Sequence, residues 1–358
     1  MKKNIQEFLL QIKHPESDQK FISEKNIKLI DIEDNKVILS IELNFPFKSQ
    51  INIYENIIQD GLKKIIDSDI IINWSHKILT RKVQQGVNSI KSIKNVIAIA
   101  SGKGGVGKSS TAANLALALS YEGANVGILD ADIYGPSQPQ MLGINQKPNS
   151  KDGKSMEPLV AHGVQVMSIG FLVDQETPMV WRGPMVTSTL EQLLKETNWD
   201  NLDYLIIDLP PGTGDIQLTL AQKIPVTGAI IVTTPQDIAL LDARRGLKMF
   251  EKVNIPILGI IENMSTHICS NCGHEEYIFG KDGGSKMCLD YKTELLGSLP
   301  LDINIREGLD AGKPSIAINP NSDISEIYKK IARKSALKVL DLAEDHSSKF
   351  PNIVIQQS

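Results

Sequence analysis

The chain has 358 residues, a hydrophobic content of 41% and a formal net charge of −4. This is enough length for two domains and enough apolar material for a full core, while the mixed charge gives no basis for a nucleic-acid surface. No apolar run reaches membrane-spanning length, and no secretory segment follows Met1-Lys2-Lys3, so neither a membrane nor export is expected. Three cysteines, an odd number, argue against a disulfide framework and for a reducing, cytoplasmic setting.

Residues 1–78 read as a small α/β domain. Residues 5–12 form a short helix ahead of His14-Pro15. Residues 27–32 and 37–43 pair as a hairpin around Asp34-Asn35-Lys36. Residues 51–66 carry apolar side chains at helical spacing, and 69–74 give another short strand. Residues 79–94 are polar and basic and read as a linker. The main domain spans 95–345. Its strand-like runs at 95–100, 126–130, 164–169, 204–208, 229–234 and 257–263 alternate with helical patterns at 110–121, 185–196, 217–224 and 238–253. That alternation predicts a mostly parallel sheet with helices on both faces, and ligands at the C-terminal strand ends. A last helix follows Asp323-Ile324-Ser325-Glu326, which has the form of a capping box, and the tail 346–358 is expected to fray.

The first strand runs into Ser101-Gly102-Lys103-Gly104-Gly105-Val106-Gly107-Lys108-Ser109-Ser110, which fits G-x-x-x-x-G-K-[ST]. Glycines let successive N–H groups converge on phosphate oxygens, Lys108 adds a cation at the β- and γ-phosphates, and the Ser109 hydroxyl is a Mg²⁺ ligand. Strand, glycine loop and helix N-terminus together make a P-loop. Two strands end in carboxylates beside it: Asp130-Ala131-Asp132, and Asp208 ahead of Leu209-Pro210-Pro211-Gly212-Thr213-Gly214-Asp215. Asp208 follows four apolar residues, as a Walker B aspartate that holds Mg²⁺ does. Later in the chain Cys269-Ser270-Asn271-Cys272-Gly273-His274 offers two thiolates to one metal or cluster edge. A [4Fe–4S] cluster takes four thiolates, which two chains can supply and one cannot. Four-coordinate zinc on Cys269, Cys272, Cys288 and His274 is the competing reading.

Lys103 extends the loop to K-G-G-V-G-K-S. This resembles the deviant P-loop ATPases: the Min/Par partitioning proteins, the nitrogenase iron protein and the Mrp-type (ApbC-like) iron–sulfur cluster carriers. With the C-x-x-C pair, the resemblance to the Mrp-type carriers covers essentially the whole chain. It implies an ATP hydrolase that holds a cluster, a [4Fe–4S] one by the ligand count, between the two chains of a homodimer and passes it to apo-proteins. It implies that Lys103 reaches the partner's nucleotide, that Asp132 positions the attacking water and that Asp130 supports the metal shell. It also implies that Asn263 meets adenine; no N-K-x-D guanine motif is present. Trp181-Arg182-Gly183-Pro184-Met185 matches a family segment in which Arg182 has no assigned role. Some relatives carry a cysteine in the loop that is here 44–50; without one, the small domain is read as a docking or regulatory module. Cys288 is read as a buried bystander. Two further classes stay in play. A Min/Par-like positioning ATPase would want a basic amphipathic terminal helix, and the end of this chain has Pro351 and a single lysine, Lys349. A nitrogenase-reductase-like donor would want cysteines beside 209–215, where there are none.

Overall fold

The computed structural model describes residues 1–17, 20–33, 36–173 and 183–345. The expected turn at Asp34-Asn35, Trp181 and Arg182, and the tail from 346 lie outside them. The first unit holds α1 (Lys2–Leu9), β1 (Ile27–Glu33), β2 (Lys36–Leu43), α2 (Ile51–Leu62) and β3 (Asp69–His76). β1 and β2 pair antiparallel, and β3 returns parallel to β2 after the α2 crossover. Along β2, Val37, Leu39, Ile41 and Leu43 are buried in strict alternation, which gives the sheet one apolar face, and α1 packs on β1 and α2 on β3. Phe21 stacks on Tyr54 with ring centroids 3.6 Å apart, and Phe45, Phe47 and Trp74 pack edge-on around it.

The second unit runs β4 (Ile93–Ala100), α3 (Lys108–Tyr121), β5 (Val126–Asp130), α4 (Gln138–Met141), β6 (Leu159–Ala161), β7 (Val164–Ser168), α5 (Gly183–Glu196), β8 (Leu202–Asp208), α6 (Asp215–Lys223), β9 (Gly228–Thr233), α7 (Asp237–Lys252), β10 (Ile257–Glu262), β11 (His267–Ile268), β12 (Glu275–Glu276), α8 (Gly283–Tyr291), β13 (Leu295–Ser298), α9 (Ile303–Asp310), α10 (Ser315–Ile318) and α11 (Asp323–Leu340). Eight strands form one sheet in the order β13-β10-β9-β4-β8-β5-β7-β6, parallel except for β6. The strands are apolar on both faces because helices cover both. α3 is buried almost all round, with Ala112, Ala113, Leu115, Ala116 and Leu119 fully enclosed, since α10 and α11 lie over it. The chain order reverses about β4, and the C-termini of β4, β8 and β5 come to lie side by side. None of the helices among the described residues is long and apolar enough to cross a membrane.

The stretch read as a linker is pinned to the main unit. The backbone at Arg81 pairs with that at Glu344 in an isolated antiparallel β-bridge, and the buried Gln84 amide donates to the carbonyl of Ala221 (2.8 Å) and accepts from Val226 N–H (2.8 Å). The small unit is held by charge as well. Arg333 of α11 is buried between Glu16 and Glu122, at 2.6 and 2.7 Å. Glu122 closes α3, and it also accepts from the Ser49 N–H and hydroxyl. Breaking such a buried triad from one side strands a charge, at a cost of about 3–5 kcal/mol.

His14 lies under Phe21 and Phe45 and accepts the Glu16 N–H at Nδ1 (3.0 Å), so it is held neutral. Burial, and then the Arg333 charge, pull its pKa from 6.5 down to about 4. Between those values the unfolded chain takes up a proton that the native one refuses. Stability is therefore full above about pH 6.5 and falls as pH drops towards 4, by at most about 3 kcal/mol. Thermal melts across that window should show the loss, and His14→Phe should flatten it; an unchanged slope would remove His14 from the interface.

Candidate nucleotide and metal-ligating site

The loop 101–107 leaves β4 and delivers Lys108 at the start of α3. A side chain at Gly102 would overlap the α7 backbone at Asp242. Gly107 is left-handed (φ +81°), and a Cβ there would strike the Asn263 amide. The loop lines a cavity of about 210 Å³ with Lys103, Gly104, Gly105, Ser109, Ser110, Asp132, Ser137 and Pro211. Gly212 N–H donates to Ser101 carbonyl (2.9 Å), joining the loop to the segment after β8.

Lys108 is 5% exposed and its ammonium rests on Asp208, with Asp132 at 3.7 Å and the Ser109 hydroxyl at 3.1 Å. Asp208 and Asp130 are fully buried and directly opposite in the β5–β8 pairing. Burial, and then the Asp208 charge, push the Asp130 carboxyl well above the usual carboxylate range. Asp130 accepts from Asp132 N–H (3.2 Å), Gln138 N–H (3.0 Å) and the Ser168 hydroxyl (3.1 Å). Burial also raises Asp132, against the pull of Lys108. These groups fit a Mg²⁺–phosphate site: a cradle only glycine can form, a cation parked on an acid, and a hydroxyl beside both. Lys103 is half-buried on the cavity wall, and among the described residues no carboxylate pairs with it.

Cys269 and Cys272 sit at the tip of the β11–β12 hairpin, half-exposed and exposed. Cys269 N–H donates to His274 carbonyl and Gly273 N–H to Cys269 carbonyl, which folds the tip. The N–H groups of Cys272 and Asn271, with the Cys272 thiol, hold the Cys269 thiol below its usual range. Cys288 is buried in α8, where burial pushes it up to about 11, and His274 is exposed. Among the described residues no three His, Cys, Asp or Glu side chains converge on a metal position. The structure therefore does not assemble the one-chain zinc site of Cys269, Cys272, Cys288 and His274. The hairpin is gripped at its base: Glu262 accepts the Gly284 N–H, closing the stretch between them, and Asn263 Nδ2 donates to Val106 carbonyl (2.9 Å).

A family model described as NUBPL iron-transfer P-loop NTPase matches residues 92–336. The chain belongs to this family. A second model, described as iron–sulfur cluster assembly protein, matches residues 2–69. An "Iron-sulfur cluster carrier protein" of Haemophilus influenzae is 50% identical over 92% of this chain and 90% of its own length. An "Iron-sulfur cluster transfer protein NUBPL" of Mus musculus is 49% identical over 68% of this chain and 77% of its own. A solved nucleotide-binding protein in complex with ADP from Archaeoglobus fulgidus shares 37% identity and a TM-score of 0.57, covering 66% of this chain and 93% of that one.

Lys103, Lys108, Ser109, Asp130, Asp132 and Asp208, read separately along the chain, meet at one end of the sheet. Asn263 comes to the underside of the P-loop, where its amide holds the Val106 carbonyl. Gln138, Ser168 and Glu262 had no sequence signal, because each acts through a partner distant in the chain. Lys108, expected from the sequence to meet phosphate, is also a buried charge partner. Loss of a surface charge would leave the fold untouched, but Lys108 is the buried counter-charge of Asp208. Lys108→Ala should abolish nucleotide hydrolysis and also lower the melting temperature of the nucleotide-free protein. Adding Asp208→Asn should recover stability without activity; a single variant that melts like wild type would show that the pair contributes nothing.

Proposed function

We propose that this chain is an ATP-hydrolysing carrier of iron–sulfur clusters that works as a homodimer in the cytoplasm and delivers its cargo to apo-proteins. The observation that carries this reading is the exposed Cys269–Cys272 pair on a hairpin whose base is tied to the P-loop through Asn263. One chain offers the cargo two thiols, so two chains complete the four of a [4Fe–4S] cluster. Ile268, Tyr277 and Ile278 on the hairpin segment, and Ile238 and Leu241 on α7, are large exposed apolar groups, which favours a partner surface there.

In this reading the backbone from Gly102 to Ser110 holds the phosphates, and Ser109 and Asp208 hold Mg²⁺. The metal supplies charge neutralisation on the phosphate oxygens. Lys108 exchanges Asp208 for phosphate, which releases a carboxylate oxygen beside Ser109. Asp132 orients the attacking water, Asp130 braces the segment that carries it, and Lys103 of each chain serves the nucleotide of the other. Asn263, which the resemblance sets against adenine, and the absence of an N-K-x-D motif from the sequence support ATP as the nucleotide. Dimer geometry then follows nucleotide state, and cluster retention follows dimer geometry.

Anaerobic iron–sulfur reconstitution with iron and zinc analysis tests the cargo. Wild type should take up iron, Cys269→Ala and Cys272→Ala should fall to background, and Cys288→Ala should stay near wild type. Stoichiometric zinc without iron uptake would end the carrier reading. Mixed dimers test Lys103. Lys103→Ala alone should lose most ATP turnover, and pairing a Lys103→Ala chain with a Lys108→Ala chain should restore one working site. Confirmed heterodimers without recovery would exclude action across the interface.

A further inference from the structure

Gln138 is fully buried at the first position of α4 and joins three loops. Its Nε2 donates to Asp208 Oδ2 (2.9 Å) and to the Ser109 carbonyl (3.0 Å), and its backbone N–H donates to Asp130 Oδ2 (3.0 Å). It is thus a single donor residue shared by two carboxylates that face each other on adjacent strands. Lys108 takes the other Asp208 oxygen, Oδ1. The Gln138 Oε1 is buried with no partner among the described residues. Nothing in the roles already argued for Lys108, Asp132 or Ser109 uses this side chain.

We propose that Gln138 is a positioning residue for the divalent cation, acting through Asp208; this rests on the reading of the loop as a Mg²⁺–nucleotide site. The chemistry selects an amide. A lysine in its place would neutralise Asp208 and compete with the metal, and a carboxylate would add a third negative charge beside Asp130 and Asp208. A neutral donor fixes one oxygen of Asp208 without lowering its charge. When Lys108 moves to phosphate, Oδ1 is left free while Oδ2 stays pinned, so the carboxylate keeps its orientation. The same residue's N–H grips Asp130, so the β5 end that leads to Asp132 is tied through Gln138 to Asp208, the acid that meets the metal.

The test is equilibrium binding of a fluorescent ATP analogue, titrated with Mg²⁺ and, separately, in EDTA. Gln138→Leu removes the donor and keeps the bulk. It should raise the Mg²⁺ midpoint about tenfold, the worth of one hydrogen bond to a charged group. Affinity in EDTA should be unchanged. Equal losses with and without Mg²⁺ would mean a merely structural role and overturn the proposal. Gln138→Glu keeps the shape and supplies a second reading should Gln138→Leu fail to fold. Compared with wild type at each pH, its Mg²⁺ midpoint should be raised at pH 8 and recover as pH falls and the new carboxyl regains a proton to donate. A pH-independent ratio, or midpoints equal to wild type, overturns the proposal. Wild-type binding that ignores Mg²⁺ would overturn the P-loop reading itself, and the proposal with it.

Discussion

The buried Lys108–Asp208 pair is the constraint on which the site depends. Asp208 and Asp130 stand opposite each other at the ends of β8 and β5 because the parallel register allows no other arrangement. Two enclosed carboxylates at that spacing repel, and burial magnifies the repulsion. The Lys108 cation and the Gln138 side-chain amide balance Asp208, and two backbone N–H groups with the Ser168 hydroxyl balance Asp130. The balance is conditional, because Lys108 also faces the phosphate cavity. A site whose counter-charge can be drawn away by ligand has two charge states built into one set of strands.

That charge balance reaches outward along α3. Lys108 opens the helix and Glu122 closes it, and Glu122 is where Arg333 and Ser49 fasten the small domain. Between those ends the helix is enclosed from Thr111 to Leu119. The small domain is thus docked at the far end of the P-loop helix. The aromatic cluster around Phe21 gives that domain an apolar core of its own, and the Arg333 triad gives the junction orientation.

A second path runs from the P-loop to the cysteines. Asn263 touches the loop at Val106 and stands at the root of the hairpin, while Glu262 ties the hairpin's return to α8. The cysteines are thus remote from the phosphates in chemistry yet fixed to the same frame.

The motifs were legible in the sequence because their chemistry is local. Glycine spacing around Lys108, an apolar run ahead of Asp208 and the two-residue gap between Cys269 and Cys272 each encode a short piece of backbone whose function follows from its own geometry. Alternating strand and helix patterns likewise announced the parallel sheet and the small domain before it. The tertiary structure alone decided the rest. Gln138 gains meaning from Ser109 and Asp208, Arg333 from Glu16 and Glu122, and Lys108 its resting partner, all through contacts between residues far apart in the chain. The separation of Cys288 from the C-x-x-C pair was equally invisible, since spacing along a chain does not say which thiol the core will enclose. Periodicity and motifs report what a residue does to its neighbours in sequence; the pairing of charges and the bridging of two acids by one residue, Gln138, through its side chain and its backbone, exist only once strands from distant segments lie in register.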